Sequence, residues 1–336
     1  MTRPVTLFTG QWADLPLEDV AKLASNWGYD GLEIACSGEH FDVHRAAVDE
    51  KYVAERLSIL EKYNLKVYAI SNHLKGQAVC DNPIDFRHKD IVGPKVWGDG
   101  EPEGVRQRAS EEMKLTAIAA RKLGVETVVG FTGSSIWQYF AMFPPVSKEV
   151  IEAGYEDFAK RWNPIMDVFD SEGVRFALEV HPSEIAYDYY TTIRALKAID
   201  NRPAFGLNWD PSHMHWQDID PVNFILDFAD RIYHVDCKDT FVRPADGRVG
   251  RLGSHLGWDD PRRGWTFVST GRGQIDWESS LRALNFIGYE GPISVEWEDA
   301  GMDRLHGAAE AVGFIRSLLW KLPDKSFDSV FKQEDL

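Results

Sequence analysis

The sequence predicts an α/β fold, a (β/α)8 barrel, from three observations. A short β-branched or aromatic run, a turn and a longer segment with apolar residues at helical spacing recur eight times in succession. Glycines follow several of the helical runs, where the left-handed C-cap conformation is wanted. No G-x-G-x-x-G follows the first strand, which disfavours the alternative of an open doubly wound sheet with a dinucleotide site. Strict β-then-α order calls for parallel strands with right-handed crossovers, and eight such units close most economically into a barrel.

The units follow in order. The strand Val5 to Thr9 precedes the helix Leu17 to Trp27, ended by Gly28. Gly31 to Cys36 is followed by Val53 to Tyr63, and Lys66 to Ser71 by Glu103 to Leu123 and Gly124. Thr127 to Phe131 leads to Lys148 to Ser171 and Gly173, and Arg175 to Val180 to Tyr189 to Ile199. Ala204 to Trp209 pairs with Pro221 to Ala229, Ile232 to Lys238 with Trp277 to Phe286 and Gly288, and Ile293 to Trp297 with Arg304 to Leu319. No linker-like stretch interrupts this series, so residues 1–320 are expected to form a single barrel. Insertions at 74–102 and 240–275 both follow strands and belong over the C-terminal rim, where barrel ligands bind. Residues 321–336 are a polar tail with Phe327 and Phe331 four apart, suited to a short docked helix or an arm across a dimer.

Composition narrows the function. Thirty-seven Lys and Arg stand against 53 Asp and Glu, a formal charge of -16 that would repel nucleic acid and anionic lipid. No apolar run approaches the roughly 20 residues of a membrane span, and MTRPVTLFTG lacks the pattern of a secretory signal, so a cytoplasmic location is expected. Cys36, Cys80 and Cys237 have no metal-type spacing and form no evident disulfide framework. Any metal must be held by carboxylates and histidines.

The last four strands supply them. They end in LEVHP with Glu179, NWDPSH with Asp210, HVDCKD with Asp236 and SVEWED with Glu296. Side chains alternate along a strand, so Glu179 shares a face with His181, His234 with Asp236 and Lys238, and Glu296 with Glu298. Adjacent strands are about 4.8 Å apart, which brings the four acids within reach of one cation. Alone, any one of them could be a helix N-cap, Asp210 above all. Together they describe a divalent-metal site of oxygen ligands, suited to Mn2+ or Mg2+ more than to zinc, with Co2+ a further alternative.

These four motifs are also where the chain resembles the xylose-isomerase-like TIM barrels, a family of sugar phosphate isomerases and epimerases that includes ketose 3-epimerases and inosose dehydratase. The resemblance runs to about Trp320. It implies that a Glu, an Asp, a His and a Glu hold one divalent ion and that the two glutamates exchange protons with substrate. Carried over, these are Glu179, Asp210, the HVDCKD position and Glu296. Relatives commonly read HVHxKD, so Asp236 stands where a histidine is expected; Asp236 is the preferred ligand and His234 the alternative. By the same resemblance His213 touches a substrate oxygen and Lys238 lies beside the reacting carbonyl or hydroxyl.

Such a site enolises a sugar: a cation chelating a carbonyl and its neighbouring hydroxyl acidifies the C–H between them, and a carboxylate removes the proton. Return of the proton to the other face epimerises, return to the adjacent carbon isomerises, and loss of a β-substituent eliminates. His73 and His181 are rim residues placed to touch substrate. Trp12, Trp137, Trp209 and Trp297 fall at or just after strand ends, where aromatic faces stack on sugar rings or flat aglycones. Arg251 belongs to a basic cluster in the second insertion, with Arg243, Arg248, Arg262, Arg263 and Arg272, that suits an anionic or polyhydroxylated ligand. The expected partner is a small-molecule sugar or glycoside, and a homo-oligomer or a small second subunit fits the long insertions. The chain also looks like the large subunits of bacterial C-glycoside deglycosidases, which cleave 3-oxo-glycosides through such an enolate together with a small second chain. An apurinic endonuclease would need more rim histidines and less negative charge, and a non-catalytic barrel would not need both Glu179 and Glu296.

Overall fold

The computed structural model describes residues 3–141, 143–243, 248–321, 323 and 329. Eight parallel strands close into a barrel: β1 (Val5–Phe8), β2 (Gly31–Ala35), β3 (Lys66–Ser71), β4 (Thr127–Gly130), β5 (Arg175–Glu179), β6 (Phe205–Trp209), β7 (Ile232–Cys237) and β10 (Ile293–Val295). β10 pairs with both β7 and β1, which completes the ring. The expected helices are present within three residues of their predicted bounds, and Leu17–Trp27 and Trp277–Phe286 match them at both ends. Gly28, Gly124 and Gly173 take the left-handed C-cap conformation, each returning its N–H to the last turn.

The main core lies between strands and helices. Trp162, Phe169, Phe176 and Phe205 are fully buried there, with Trp162 and Phe176 centroids 4.6 Å apart. A smaller cluster of Ala69, Val129 and Ala177, with Tyr233 against it, fills the barrel interior. Here two strand pairs slip register by one residue. Leu32 faces Val67 but Glu33 faces Ala69, and Leu207 faces Ile232 but Asn208 faces His234, which leaves Tyr68 and Tyr233 as the extra residues. Each is matched by a glycine: a Cβ on Gly31 would lie 2.7 Å from the Tyr68 ring, and one on Gly206 2.2 Å from the Tyr233 ring. Past these bulges the alternation resumes with Glu33 and with His234, Asp236 and Lys238 directed into the barrel.

Both long connections carry secondary structure. Residues 74–102 hold most of His73–Gln77 and all of Phe86–Trp97, two helices the periodicity did not announce. Residues 240–275 carry an antiparallel hairpin of β8 (Asp239–Val242) and β9 (Trp265–Val268). Asp239 fixes its base, accepting from the backbone of Gly271 and Ile275 and from the Trp277 indole at 2.8 Å. The three cysteines are buried and unpaired. Among the described residues no helix is long and apolar enough to cross a membrane. Of the tail 321–336 only Lys321, Pro323 and Ser329 are described, so Phe327 and Phe331 lie outside the described residues.

Candidate active site

The C-terminal ends of the strands open into one cavity of about 610 Å³. Alternation decides what reaches it. On β5, Phe176 and Leu178 belong to the outer core and Ala177 to the inner cluster, so Glu179 enters the barrel mouth and His181, two residues on, joins it. Lys238 lines the cavity, with Asp236 and then His234 at deeper levels of the same strand, both fully buried. Glu296 and Glu298, just past β10 on the neighbouring strand, line it too, and Gln11 donates to both, at 2.9 and 3.0 Å.

The acids are gathered around one ammonium. Lys238 Nζ donates to Glu296 Oε2 at 2.7 Å and lies 3.1 Å from Asp210 Oδ2 and 3.7 Å from Glu179 Oε1. His213 Nε2 stands 3.2 Å from Glu179 Oε1 and 3.3 Å from Asp210 Oδ2, and His73 Nε2 is 3.0 Å from Glu179 Oε2. Asp210 serves two purposes. Its Oδ1 accepts from the Ser212 backbone at 2.8 Å and caps the short helix Pro211–His215, while Oδ2 is turned to Lys238.

Charge is unevenly distributed among these groups. Burial pushes Glu179 toward protonation, but Lys238, His213 and His73 outweigh it and hold the carboxyl well below the usual range. Burial pushes Asp210 and Glu296 well above that range, and neighbouring acids push the same way against Lys238. Asp236 is raised to about 6 by burial and by the Glu33 charge. Burial would lower Lys238, yet the surrounding carboxylates raise it well above its ordinary value. His181 is lowered to about 4 by burial, and His213 falls well below its ordinary value for the same reason, helped by His181 and Lys238.

This donor set fits a divalent cation. Glu179 Oε1, Asp210 Oδ2 and Asp236 Oδ1 are buried and make no hydrogen bond. Oxygens of Glu179, Asp236 and Glu296 lie within 4.8 Å of one another, as do ligating atoms of Glu179, His181 and His213. One ammonium among four carboxylates leaves charge that a hard, oxygen-preferring ion would offset.

Beneath the acids is a polar layer that the sequence reading passed over. Glu33 Oε2 accepts from His234 Nε2 at 2.8 Å and Ser294 Oγ at 2.6 Å, and Ser71 donates to Oε1. Burial opposes both charges, but the pairing holds Glu33 near 2 and lifts His234 to about 10. Asn208 donates to Asp236 Oδ2 at 2.6 Å. The His234 Nε2 is therefore turned to Glu33, and of the two β7 candidates it is Asp236 whose oxygen lies with Glu179 and Glu296. An acid in the middle of GLEIA, between core residues Leu32 and Ile34, was the available signal for Glu33.

Four residues expected at the ligand do not line this cavity. Trp12 is fully buried, packed on Trp27 at 5.4 Å beneath the Arg304 guanidinium, because its short 3-10 turn folds it inward. Trp137 stacks on Phe140 at 4.9 Å and meets Tyr187 edge-on at 5.0 Å. Arg251 pairs with Asp218 at 2.8 Å and donates to the Trp216 carbonyl, at a separate depression. Trp209 is likewise buried, its indole donating to Pro221. His73, His181 and Trp297 do line the cavity, joined by Phe8, Phe131, Trp258 and Phe267, which sequence reasoning did not single out.

Comparison with known proteins agrees with this architecture. The family model described as the xylose isomerase-like TIM barrel matches residues 21–318. The uncharacterized protein YfiH of Bacillus subtilis (strain 168) is 26% identical over 93% of this chain and 97% of its own length. A ketose 3-epimerase of Arthrobacter globiformis is 25% identical over 63% of this chain and 69% of its own. The crystal structure of the 3-keto-D-glucoside 4-epimerase YcjR of E. coli superposes with a TM-score of 0.65 at 13% identity, covering 94% of this chain and 99% of that one.

Proposed function

Because the chain belongs to the xylose isomerase-like TIM barrel family, we propose that it is a sugar-modifying enzyme that depends on a divalent metal and removes a proton beside the carbonyl of a keto-sugar or 3-oxo-glycoside. One observation carries this reading: Glu179 and Glu296 face the same cavity from different strands, and their surroundings drive their proton affinities in opposite directions, Glu179 down beside Lys238, His213 and His73, Glu296 up through burial and the neighbouring acids. Environments that drive two carboxyl groups apart mark out a base and an acid.

Glu179, Asp210, Asp236 and Glu296 would hold the ion, Mn2+ in preference, with Mg2+ or Co2+ as alternatives. When bound, it supplies the charge that acidifies the C–H and stabilises the enediolate. Glu179, steadied by His73, takes the proton. Glu296 returns one to the opposite face or to the adjacent carbon, giving epimerisation or isomerisation. His213, kept neutral, serves a substrate oxygen, and the Lys238 ammonium faces the developing oxyanion. The ketose 3-epimerase among the relatives and the 3-keto-D-glucoside 4-epimerase among the structural neighbours support sugars that carry a ketone as the substrate class.

The cavity volume favours a second reading in which the substrate carries more than a monosaccharide and the same enediolate expels a β-substituent, as in a C-glycoside deglycosidase large subunit. The test is incubation of the Mn2+-loaded protein in D2O with free ketoses and with 3-oxo-glucosides, followed by NMR. Deuterium uptake that falls about 10²- to 10⁴-fold in Glu179→Gln and Glu296→Gln is expected. Uptake without release of the substituent selects the isomerase or epimerase, and release selects the lyase. Absence of both, in protein shown to hold its metal, overturns the proposal.

A further inference from the structure

Both carboxyl oxygens of Glu179 trace back to one phenyl ring. His73 Nε2, 3.0 Å from Oε2, belongs to a ring that meets Phe131 edge-on at 4.7 Å. The same phenyl ring lies 4.8 Å from that of His181. His181 in turn meets the His213 ring at 4.0 Å, and His213 Nε2 stands 3.2 Å from Oε1. Phe131 is therefore a shared neighbour of the imidazoles that set the direction of the carboxylate.

Phe131 is the first residue past β4, where the chain leaves the sheet. Beyond that point the buried backbone N–H groups need acceptors other than a neighbouring strand. One side chain supplies most of them. Glu184 Oε2 accepts from the Thr132 N–H at 2.6 Å, the Gly133 N–H at 2.7 Å and the Thr132 hydroxyl at 3.1 Å. Asp81, from the first insertion, takes the Ser134 N–H at 3.0 Å. Gly133 has φ +68° and a Cβ there would lie 2.0 Å from the Gln77 carbonyl oxygen, so the segment is pressed against the insertion as well.

Glu184 also holds the turn that carries the second imidazole. Its own N–H donates to the His181 carbonyl at 3.0 Å, closing a turn in which Ser183 has φ 97°, a left-handed value unusual for a residue with a Cβ. Glu184 is fully buried and does not line the cavity, and its carboxyl is pushed up to about 8 by burial and the Asp81 charge. What it offers the segment is an oxygen for three hydrogens, which a carboxamide can offer too.

We infer that Glu184 is a positioning residue for the base: without touching substrate it fixes Phe131 and the His181 turn together, and through them the imidazole contacts that orient Glu179. This rests on the proposed function, in which Glu179 takes the proton.

Two readouts test it, one of them free of turnover. In metal-free protein carrying 13C-labelled histidine rings, the His73 and His181 signals are identified by their loss in His73→Gln and His181→Gln. Both are expected to shift in Glu184→Ala and to return to their parent positions in Glu184→Gln, which keeps an oxygen for the same three donors. In Mn2+-loaded protein, deuterium uptake from D2O into D-fructose and methyl 3-oxo-β-glucoside should lose about 10²-fold in kcat in Glu184→Ala, with KM little changed, and recover in Glu184→Gln. Should Glu184→Ala fail to fold, Glu184→Asp, which withdraws the acceptor by one methylene, is read in the same way. Unmoved imidazole signals in the folded variant, a kcat equal to that of the parent, or a Glu184→Gln as impaired as Glu184→Ala overturns the inference. The two readings fail separately. Shifted signals in a protein whose parent takes up no deuterium into any sugar overturn the proposed function and keep the link from Glu184 to Glu179; uptake by the parent with unmoved signals keeps the function and removes the link.

Discussion

Lys238 holds together a cluster that would otherwise repel itself, and its replacement by methionine, which keeps the length and removes the charge, isolates that effect. The ammonium is buried and touches or nearly touches Glu296, Asp210 and Glu179 at 2.7, 3.1 and 3.7 Å. Taking one partner from a buried ionic cluster costs about 3–5 kcal/mol. With an unfolding entropy of about 2.1 cal/mol/K per residue, a chain of 336 residues changes Tm by about 4–7 °C for that loss. The expectation is therefore that Lys238→Met, freed of metal with EDTA, melts about 4–7 °C below the parent by calorimetry at pH 8. The deficit should be smaller at pH 5. Asp210 and Glu296 already have folded affinities above their unfolded ones, removal of the ammonium raises them further, and such groups lose stability as pH rises. Mn2+ at about 100 times its Kd adds about 2.7 kcal/mol through mass action, and the variant should gain more than the parent because no ammonium competes for the oxygens. Equal melting of the two EDTA-treated proteins at pH 8, or a deficit that Mn2+ leaves untouched, would refute the reasoning.

Asp236→His introduces the imidazole that the family resemblance implies at this position and should move the metal preference toward zinc; loading from an equimolar Mn2+ and Zn2+ mixture, read by elemental analysis, is expected to raise the Zn-to-Mn ratio at least about 10-fold. Stability should be greatest between the unfolded values of Glu33 and His234 and fall on both sides. Glu33, lowered to about 2, loses its contribution as pH drops from 4.5 through 2, and His234, raised to about 10, loses its own as pH rises from 6.5 through 10. Urea unfolding across that range checks it, and Glu33→Gln should flatten the alkaline limb. Trp162→Ala empties a fully buried site between Phe176 and Phe205 and strands the Thr132 carbonyl, so a loss of about 3–5 kcal/mol is expected in the same unfolding assay.

How far the sequence could be read follows from which forces act locally. The eight strands and their eight following helices were legible because burial on both faces writes near-continuous apolar runs in parallel strands, and helices facing them keep a 3.6-residue stripe. The helices Phe86–Trp97 and Pro211–His215 were not, since one bends at Gly93 and Pro94 and the other is a single capped turn, too short for a period to register. At the site, Glu179 and Glu296 were legible because strand parity alone sends them to one mouth. Trp12 and Arg251 misled because an aromatic after a strand can turn to core or rim, and a loop arginine takes the nearest carboxylate, here Asp218. Trp258 was invisible for the complementary reason: it stands in a loop, and only the folding back of the hairpin brings it against Phe267.

The aspartate at position 236 links the cavity and the inner polar layer. A histidine there would be a neutral ligand needing one partner for its second nitrogen. An aspartate adds a carboxylate to a site already holding three acids, and the structure meets it from the inner side: His234, two residues back along the strand, lies 3.5 Å from Asp236 Oδ1, its proton affinity raised by Glu33 and Asp236, while Lys238 pairs with Glu296 and Asp210. Because His234, Asp236 and Lys238 share the inward face of one strand, β7 carries cation, anion, cation in register. Glu33 then has a reason to be in the barrel interior: together with Asp236 it outweighs the burial that would otherwise discharge His234. In Glu33→Gln, then, Mn2+ affinity should change as well as the alkaline unfolding limb. A variant that lost the limb yet bound Mn2+ as the parent does would show that the inner layer serves folding only and leaves the orientation of Asp236 to Asn208.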